Sequence, residues 1–219
     1  AVYLDYNATG PLRGEAREAM EPFLSGPAGN AGSTHVFGHR AAAAVDAARA
    51  GIRALCGGPS GDLILTGSGT EAVLLGTAGA GRALAPRAAH AVFSAVEHRA
   101  GLDGGALLEG TGWSVSWVAP APSGHLDPAA IVSAMRGDTV LVSVMHANNE
   151  TGVVHPVAEI AAACRTRGIR MHVDAVQSAG KIPVLAETWG ADYVSVAAHK
   201  LGGPQGVGAL WRRRGAPQP

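Results

Sequence analysis

Apolar and polar residues follow one another along the chain in two alternating patterns, and each pattern indicates a different secondary structure. Short apolar runs bounded by glycine or polar residues predict strands, and the longer stretches between them carry apolar residues at helical spacing. The predicted strands are VYLDY, DLILTG, HAVFSAV, WSVSWVA, TVLVSVM, RMHVDAV, DYVSVAA and GVGALWR. The predicted helices are GEAREAMEPFL, HRAAAAVDAARAGIRALCGG, TEAVLLGTAGAGRALA, RAGLDGGALLEG, DPAAIVSAMRG and PVAEIAAACRTRG.

Residues at the ends of these stretches support the predicted helices. Asp127 and Pro128 stand where an N-cap and a first helical residue are expected. Gly57 and Gly168 follow two other helices as stop residues. The alternation of strands and helices implies βαβ units. The sequence therefore predicts an α/β fold, a three-layer sandwich with a mostly parallel sheet between helices.

Composition and charge narrow the class of protein. Hydrophobic residues make up 47% of the 219 residues and charged residues 16%, which supports a sizeable core and argues against disorder. Lys+Arg and Asp+Glu are 17 each, so there is no basic excess for nucleic acid or an anionic membrane. The sequence shows neither an apolar run of membrane-spanning length nor a signal-peptide pattern in AVYLDYNATG. We expect a soluble, cytoplasmic protein.

The two cysteines, Cys56 and Cys164, both fall in alanine-rich helical stretches. Small buried core thiols explain this placement better than a disulfide or a nucleophile does. Two cysteines so placed do not form a metal site, and we expect no metal.

Polar side chains gather where the predicted strands end. They are Ser68 to Glu71, Glu97 with His98, His146 to Gly152, Asp174 with Gln177, and His199 with Lys200. Each set has an ordinary explanation as a turn, a helix cap or a structural histidine. Parallel strands, however, end at one edge of a sheet, where ligands bind in such folds. All these groups are therefore expected in one cleft, which makes it the predicted active site.

This set of groups matches the needs of pyridoxal 5'-phosphate. The cofactor takes a lysine for a Schiff base, a carboxylate beside its pyridinium nitrogen and a helix N-terminus for its phosphate. Lys200, Asp174 and the Ser68–Glu71 turn can supply these, and His98 is the candidate for a ring stacked on the cofactor.

The chain resembles the cysteine desulfurases, class V members of the fold-type I pyridoxal-phosphate enzymes. The resemblance extends over nearly all residues and is carried by seven motifs in order. They are YLDYNAT, GNAGSTH, GSGTEA, EHRA, MHANNETG, HVDAVQSAGK and AAHKLGGPQGVGAL.

The resemblance implies roles for the site residues. Lys200 would hold the cofactor covalently and act as a base, and Asp174 would pair with the pyridine nitrogen. Gln177 and Asn148 would bond the phenolic oxygen or its neighbourhood.

The remaining roles concern the ring face and the phosphate. His98 would stack on the ring and shuttle protons. Gly69, Thr70 and His199 would bind the phosphate.

Some residues depart from the family pattern. Ala197 stands where the family has a serine whose hydroxyl touches the phosphate, and Val73 and Leu74 stand near the phosphate turn where Ser and Asn are common. Ala31 replaces a typical proline, and Gln205 a common lysine. These departures imply weaker cofactor binding or a phosphate held by other groups.

The resemblance also implies a domain organisation. Residues 1–219 correspond to the cofactor-binding large domain, with residues 1–20 as an N-terminal segment. The small domain, which carries the nucleophilic cysteine and a carboxylate-binding arginine, is expected to be absent. This chain alone is then not expected to complete the reaction.

The activity implied by the resemblance is conversion of L-cysteine to L-alanine, with sulfur passed as a persulfide to an acceptor protein, as in iron–sulfur cluster assembly. The family also implies a homodimer. Two alternatives stay open: a selenocysteine lyase or other class V enzyme, and a non-catalytic scaffold derived from one. Lys200, Asp174 and His98 occurring together weigh against the scaffold.

Overall fold

The structure is a computed structural model that describes residues 2–27 and 29–219. Ala1, the first residue of the expected N-terminal segment, lies outside the described residues. The strands are β1 Asp62–Thr66, β2 His90–Ser94, β3 Ser114–Val118, β4 Thr139–Met145, β5 Arg170–Asp174, β6 Tyr193–Ala197 and β7 Gly208–Arg212. The helices are α1 Gly14–Leu24, α2 Val36–Leu55, α3 Gly69–Leu74, α4 Ala80–Leu84, α5 Arg99–Glu109, α6 Pro128–Ala134, α7 Val157–Thr166 and α8 Ala186–Trp189.

The seven strands form one sheet in the order β1-β7-β6-β5-β4-β2-β3. All neighbours are parallel except β7, which runs antiparallel to both β1 and β6. The predicted mostly parallel α/β fold is confirmed. The order places the carboxyl ends of β1, β2, β4, β5 and β6 along one edge, where the predicted site residues follow.

Side chains alternate between the two faces of the sheet, and each face has its own core. Val173 of β5 and Val194 of β6 join one large cluster that also holds residues of α6, α7 and α8. Tyr193 and Leu210 pack on the other face against Ala72 of α3. His172 and Asp174, each one residue away from Val173, therefore lie on the face covered by α3.

The residues predicted to begin α6 and to end α7 do so in the structure. The side chain of Asp127 caps α6 by accepting the amide hydrogen of Ala129, with Pro128 in the first turn. Helix α7 ends at Thr166, and Gly168 then takes a left-handed conformation with φ of 68°, a conformation that costs glycine little.

The predicted strand VYLDY is wrong. Residues 2–6 lie in an extended segment and a turn, and form no strand. Val2 and Leu4 are 84% and 88% exposed. The segment has the apolar content of a strand, but no neighbouring strand provides a hydrogen-bonding edge for it.

The predicted helix TEAVLLGTAGAGRALA is helical, but it is not α-helical throughout. Helix α3 continues through a π-helical turn, Leu75–Gly79, into α4. Gly76 in this turn lies directly against the ring of His172, where a Cβ atom would overlap it. The glycine therefore allows the wide turn to approach β5 closely. Ser68 caps α3 by accepting the amide hydrogen of Glu71.

Candidate active site

A cavity of about 740 Å³ lies at the edge of the sheet where the parallel strands end. Five loops and the N-terminal segment surround it. Seven of the eight predicted site residues line it, and they are Gly69, Thr70, His98, Asp174, Gln177, His199 and Lys200. The predicted convergence of these side chains on one cleft is therefore present in the fold.

Lys200 and Asp174 reach the cavity from neighbouring positions of the sheet. Asp174 ends β5, and Lys200 ends the 3₁₀ turn that follows β6. Burial lowers the pKa of Lys200, while Asp174 acts in the opposite direction. Burial likewise raises the pKa of Asp174, opposed by the Val176 amide, His98 and Lys200. The two groups therefore interact electrostatically across one cavity.

His98 joins β2 to α5 and has one ring nitrogen already occupied. Its Nδ1 accepts the amide hydrogen of Ala100 at 3.1 Å as the cap of α5. The neutral ring must therefore carry its proton on Nε2. This cap fixes the imidazole at the cavity wall, with Nε2 as the nitrogen able to exchange a proton there.

The turn after β1 is shaped by its contact with β6. A Cβ atom at Gly69 would lie 2.8 Å from the Cβ of Ala197, so the start of α3 needs both a glycine and a small partner. The Glu71 carboxylate accepts the amide hydrogen of Gly67, and the Ser68 hydroxyl accepts that of Glu71. These two hydrogen bonds, one to the N-cap residue and one to the residue before it, fix the turn. The side chain of Thr70 lines the cavity beside it.

The structure corrects the predicted role of Asn148, because this side chain is used inside its own loop. Its Oδ1 accepts the amide hydrogens of Glu150 and Thr151, and its Nδ2 donates to the carbonyl oxygen of Val96 at 3.0 Å. Asn149 lines the cavity instead. Two adjacent asparagines look equivalent in a sequence, and only the conformation of the loop assigns one to the turn and the other to the cavity.

The N-terminal segment is a part of the site that the sequence analysis did not assign. Asn7 and Thr9 line the cavity. The amide of Gly10 donates to the carbonyl oxygen of His199 at 2.9 Å, and Thr9 Oγ1 lies 3.2 Å from His199 Nδ1. The available signal was the pair of small polar residues, Asn7 and Thr9, directly after the apolar segment VYLDY.

Glu97 lies beneath the site and was noted in the sequence only as the neighbour of His98. The Ser94 hydroxyl and the Met145 amide both donate to its Oε1. Its Oε2 is buried without a hydrogen-bond partner. Burial raises its pKa to about 8, so Glu97 is largely protonated at neutral pH.

Neither cysteine belongs to the site. Cys56 and Cys164 are free and buried in the large core cluster. Burial raises both thiol pKa values to about 12. The prediction of small buried core thiols is confirmed. In the described ranges, 2–27 and 29–219, no helix has the length and apolar character to cross a membrane.

The fold and the cavity together define an α/β protein whose site combines a half-buried lysine, a buried carboxylate and a histidine. The chain belongs to the aminotransferase class-V family, whose model matches residues 2–218.

Comparison with individual proteins is consistent with membership of this family. The chain is 46% identical over 214 residues to "Cysteine desulfurase IscS" of Anaeromyxobacter dehalogenans (strain 2CP-C), covering 97% of the chain and 53% of that protein. A solved structure titled "NIFS-LIKE PROTEIN" matches with a TM-score of 0.92 and 33% identity, covering 99% of this chain and 60% of that one. Another, "SspA in complex with cysteine", matches with a TM-score of 0.91 and 30% identity, covering 98% and 62%. The chain spans about half the length of the curated relatives it matches.

Proposed function

We propose that this chain is the cofactor-binding large domain of a pyridoxal-phosphate-dependent cysteine desulfurase. The proposed reaction converts L-cysteine to L-alanine and passes sulfur to a protein thiol and then to an acceptor protein. The observation that carries the proposal is the joint placement of Lys200 and Asp174 in one cavity, with His98 on its wall. The family and the named relatives support it.

The residues present fit this cofactor. Lys200 offers an amine whose pKa is lowered by burial, so a larger fraction of it is unprotonated and nucleophilic. Asp174 offers a buried carboxylate, and a cationic ring nitrogen would offset the cost of its burial. Gly69, Thr70 and His199 offer backbone and side-chain donors for the phosphate. When bound, the cofactor supplies an electron sink for bond breaking at the substrate α-carbon.

The protein groups then have separate tasks. Lys200 would hold the cofactor through its amine and would move the substrate α-proton as a general base. Asp174 would keep the ring nitrogen protonated, and His98 would hold the ring in place and exchange a proton through Nε2. Asn149 takes the position in the cavity that the sequence analysis gave to Asn148.

The sulfur-accepting thiol is proposed to lie outside these 219 residues. Cys56 and Cys164 are buried in the core and their pKa values are about 12, so neither forms a thiolate near the cavity. The predicted small domain is the proposed source of that thiol. The homodimer and the iron–sulfur pathway stay predictions from the resemblance, and the cytoplasmic location stays a prediction from the sequence pattern.

The lysine content of the chain makes the cofactor site directly testable. The sequence contains two lysines, Lys181 and Lys200. We expect the purified protein with added pyridoxal phosphate to gain a visible absorbance band that borohydride bleaches. Mass spectrometry should then find the reduced cofactor on the peptide containing Lys200.

Matched variants separate a specific site from chance labelling. Lys200→Arg should abolish both the band and the label, while Lys181→Arg should keep the label on Lys200. A protein that gains no band and no label would favour the non-catalytic scaffold. Activity with selenocysteine rather than cysteine, in the complete protein, would favour the selenocysteine lyase.

A further inference from the structure

Lys181 forms a closed group of hydrogen bonds with Gln177 and Asn7. Its Nζ donates to Gln177 Oε1 at 2.9 Å and to Asn7 Oδ1 at 3.3 Å. Gln177 Nε2 in turn donates to the backbone carbonyl oxygen of Asn7 at 2.9 Å. Lys181 therefore joins a residue of the site to the N-terminal segment.

These bonds determine which way the Gln177 amide faces. An ammonium group has only hydrogens to donate, so the amide oxygen must face Lys181 and the amide nitrogen must face away from it. Gln177 is only 8% exposed, whereas Lys181 is an exposed residue. The lysine thus covers a buried amide from the solvent side and fixes its orientation.

The same bonds hold the N-terminal segment at the cavity. Asn7 lines the cavity and is bonded through both its side chain and its backbone carbonyl. The residues before it have little else to hold them, because Val2 and Leu4 are exposed. After it, Gly10 is bonded to the carbonyl of His199. Lys181 adds a charged donor at the point where this segment meets the site.

The charge of Lys181 also affects the pKa of Lys200, which lines the cavity. Burial is the main cause of the lowered pKa of Lys200, and Lys181 adds to this lowering by like-charge repulsion, while Asp174 opposes it. Asp5 and Glu150, the other charged groups that act on Lys200, also oppose it.

We propose that Lys181 is a positioning residue of this site, which orients the Gln177 amide and fastens the segment Asn7 to Gly10 over the cavity. The inference rests on the proposed function in so far as Gln177 contacts the cofactor. Lys181 itself does not line the cavity, so it acts through Gln177 and Asn7.

The first test needs no cofactor. Hydrogen exchange is measured on the cofactor-free protein for peptides covering residues 4–13, in wild type, Lys181→Met and Lys181→Arg. Loss of the ammonium should raise exchange of the Ala8 and Gly10 amides about fivefold or more, since their hydrogen bonds would open more often. The arginine variant keeps a charged donor and should stay within about twofold of wild type. Peptides from β5 and β6 should be unchanged in both variants, which shows that the fold is intact.

The second test uses the cofactor-loaded protein and reads its visible absorbance against pH. Removing a positive charge near the Lys200 nitrogen makes that nitrogen easier to protonate, so Lys181→Met should raise the pH midpoint by about 0.3–0.5 unit. Lys181→Arg should restore it. A merely structural role would leave this midpoint unchanged.

The outcomes separate this inference from the proposed function. Unchanged exchange in Lys181→Met, or an unchanged midpoint in the loaded variant, overturns the role of Lys181. If the wild-type protein takes up no cofactor, the proposed function fails, and the exchange measurement alone then decides whether Lys181 fastens the segment.

Discussion

Glu97 holds its proton unusually tightly because its carboxyl group is buried one residue before His98. Its pKa is about 8 in the folded protein, against an ordinary value of 4.5. Between these two pH values the folded state binds a proton that the unfolded chain has lost. The contribution of Glu97 to stability is therefore complete below pH 4.5 and falls as the pH rises toward 8.

Glu97→Gln should remove this pH dependence, because a neutral amide needs no proton and its oxygen can still accept from Ser94 and Met145. We expect the free energy of unfolding of the variant to rise relative to wild type between pH 5 and pH 8, by roughly 3–4 kcal/mol. Urea unfolding at the two pH values measures this.

An exposed carboxylate on α7 provides the control. Glu159→Gln should change the free energy of unfolding by less than about 0.5 kcal/mol at either pH. If Glu97→Gln lowered stability equally at pH 5 and pH 8, the carboxyl group would be ionised in the folded protein and the assignment would be wrong.

The two thiols give a second prediction at this scale. Because burial raises the pKa values of Cys56 and Cys164 to about 12, the folded protein should react with iodoacetamide at least about a hundredfold more slowly than a free cysteine. Alkylation followed by mass spectrometry measures this, and unfolding in urea should restore both reactions. Rapid alkylation of either thiol in the native state would show an accessible thiolate.

Single residues were predictable from the sequence when their residue type alone carries the chemistry. Lys200, Asp174 and His98 were predicted in this way, and the structure brings all three to one cavity. Asn149 and Lys181 were missed for a physical reason. Which amide faces the cavity depends on the turn after β4, and the role of Lys181 depends on a contact with Asn7, distant in sequence.

At the scale of elements, glycines with different surroundings make a matched test. Gly76 lies in the π-helical turn against the buried ring of His172, and Gly51 lies in α2 with no atom within 4 Å of an added Cβ. Alanine normally stabilises a helix by about 1 kcal/mol relative to glycine.

Gly76→Ala should therefore destabilise the protein despite better helix propensity, by about 2–4 kcal/mol, since the His172 ring is held by Ser143 and Ser195 and cannot move aside. Gly51→Ala should stabilise it by about 0.5–1 kcal/mol. Thermal unfolding of both variants measures the difference. Equal stability changes of the same sign would contradict the packing argument.

Elements were predictable where a pattern and its end signals agree, as at α6 and α7. The segment VYLDY and the helix after β1 show the two limits of this reasoning. A strand pattern says nothing about whether a partner strand is nearby, and helical spacing does not distinguish an α-helical turn from a π-helical one.

At the scale of the whole molecule, the N-terminal region and the sheet contribute unequally to stability. Helix α1 contains no buried residue, whereas Leu210 and Trp211 of β7 are fully buried. Deleting residues 2–25 should lower the melting temperature of the cofactor-free protein by less than about 3 °C.

Deleting residues 208–219 should instead abolish cooperative unfolding, because β7 is the strand that joins β1 to β6. Circular dichroism during heating measures both deletions. A fall of more than about 10 °C on removing residues 2–25 would show that the N-terminal region stabilises the sheet.

The topology of β1 has a consequence for how the protein is made. Its sole neighbour in the sheet of the described chain is β7, which is encoded almost at the other end of these residues. Leu63 and the other residues of β1 leave the ribosome long before the residues of β7 are synthesised. The apolar side chains of β1 therefore remain unpaired and exposed during much of translation. This edge of the sheet can close only after residue 212 has left the exit tunnel, about 150 residues after β1 itself has been made.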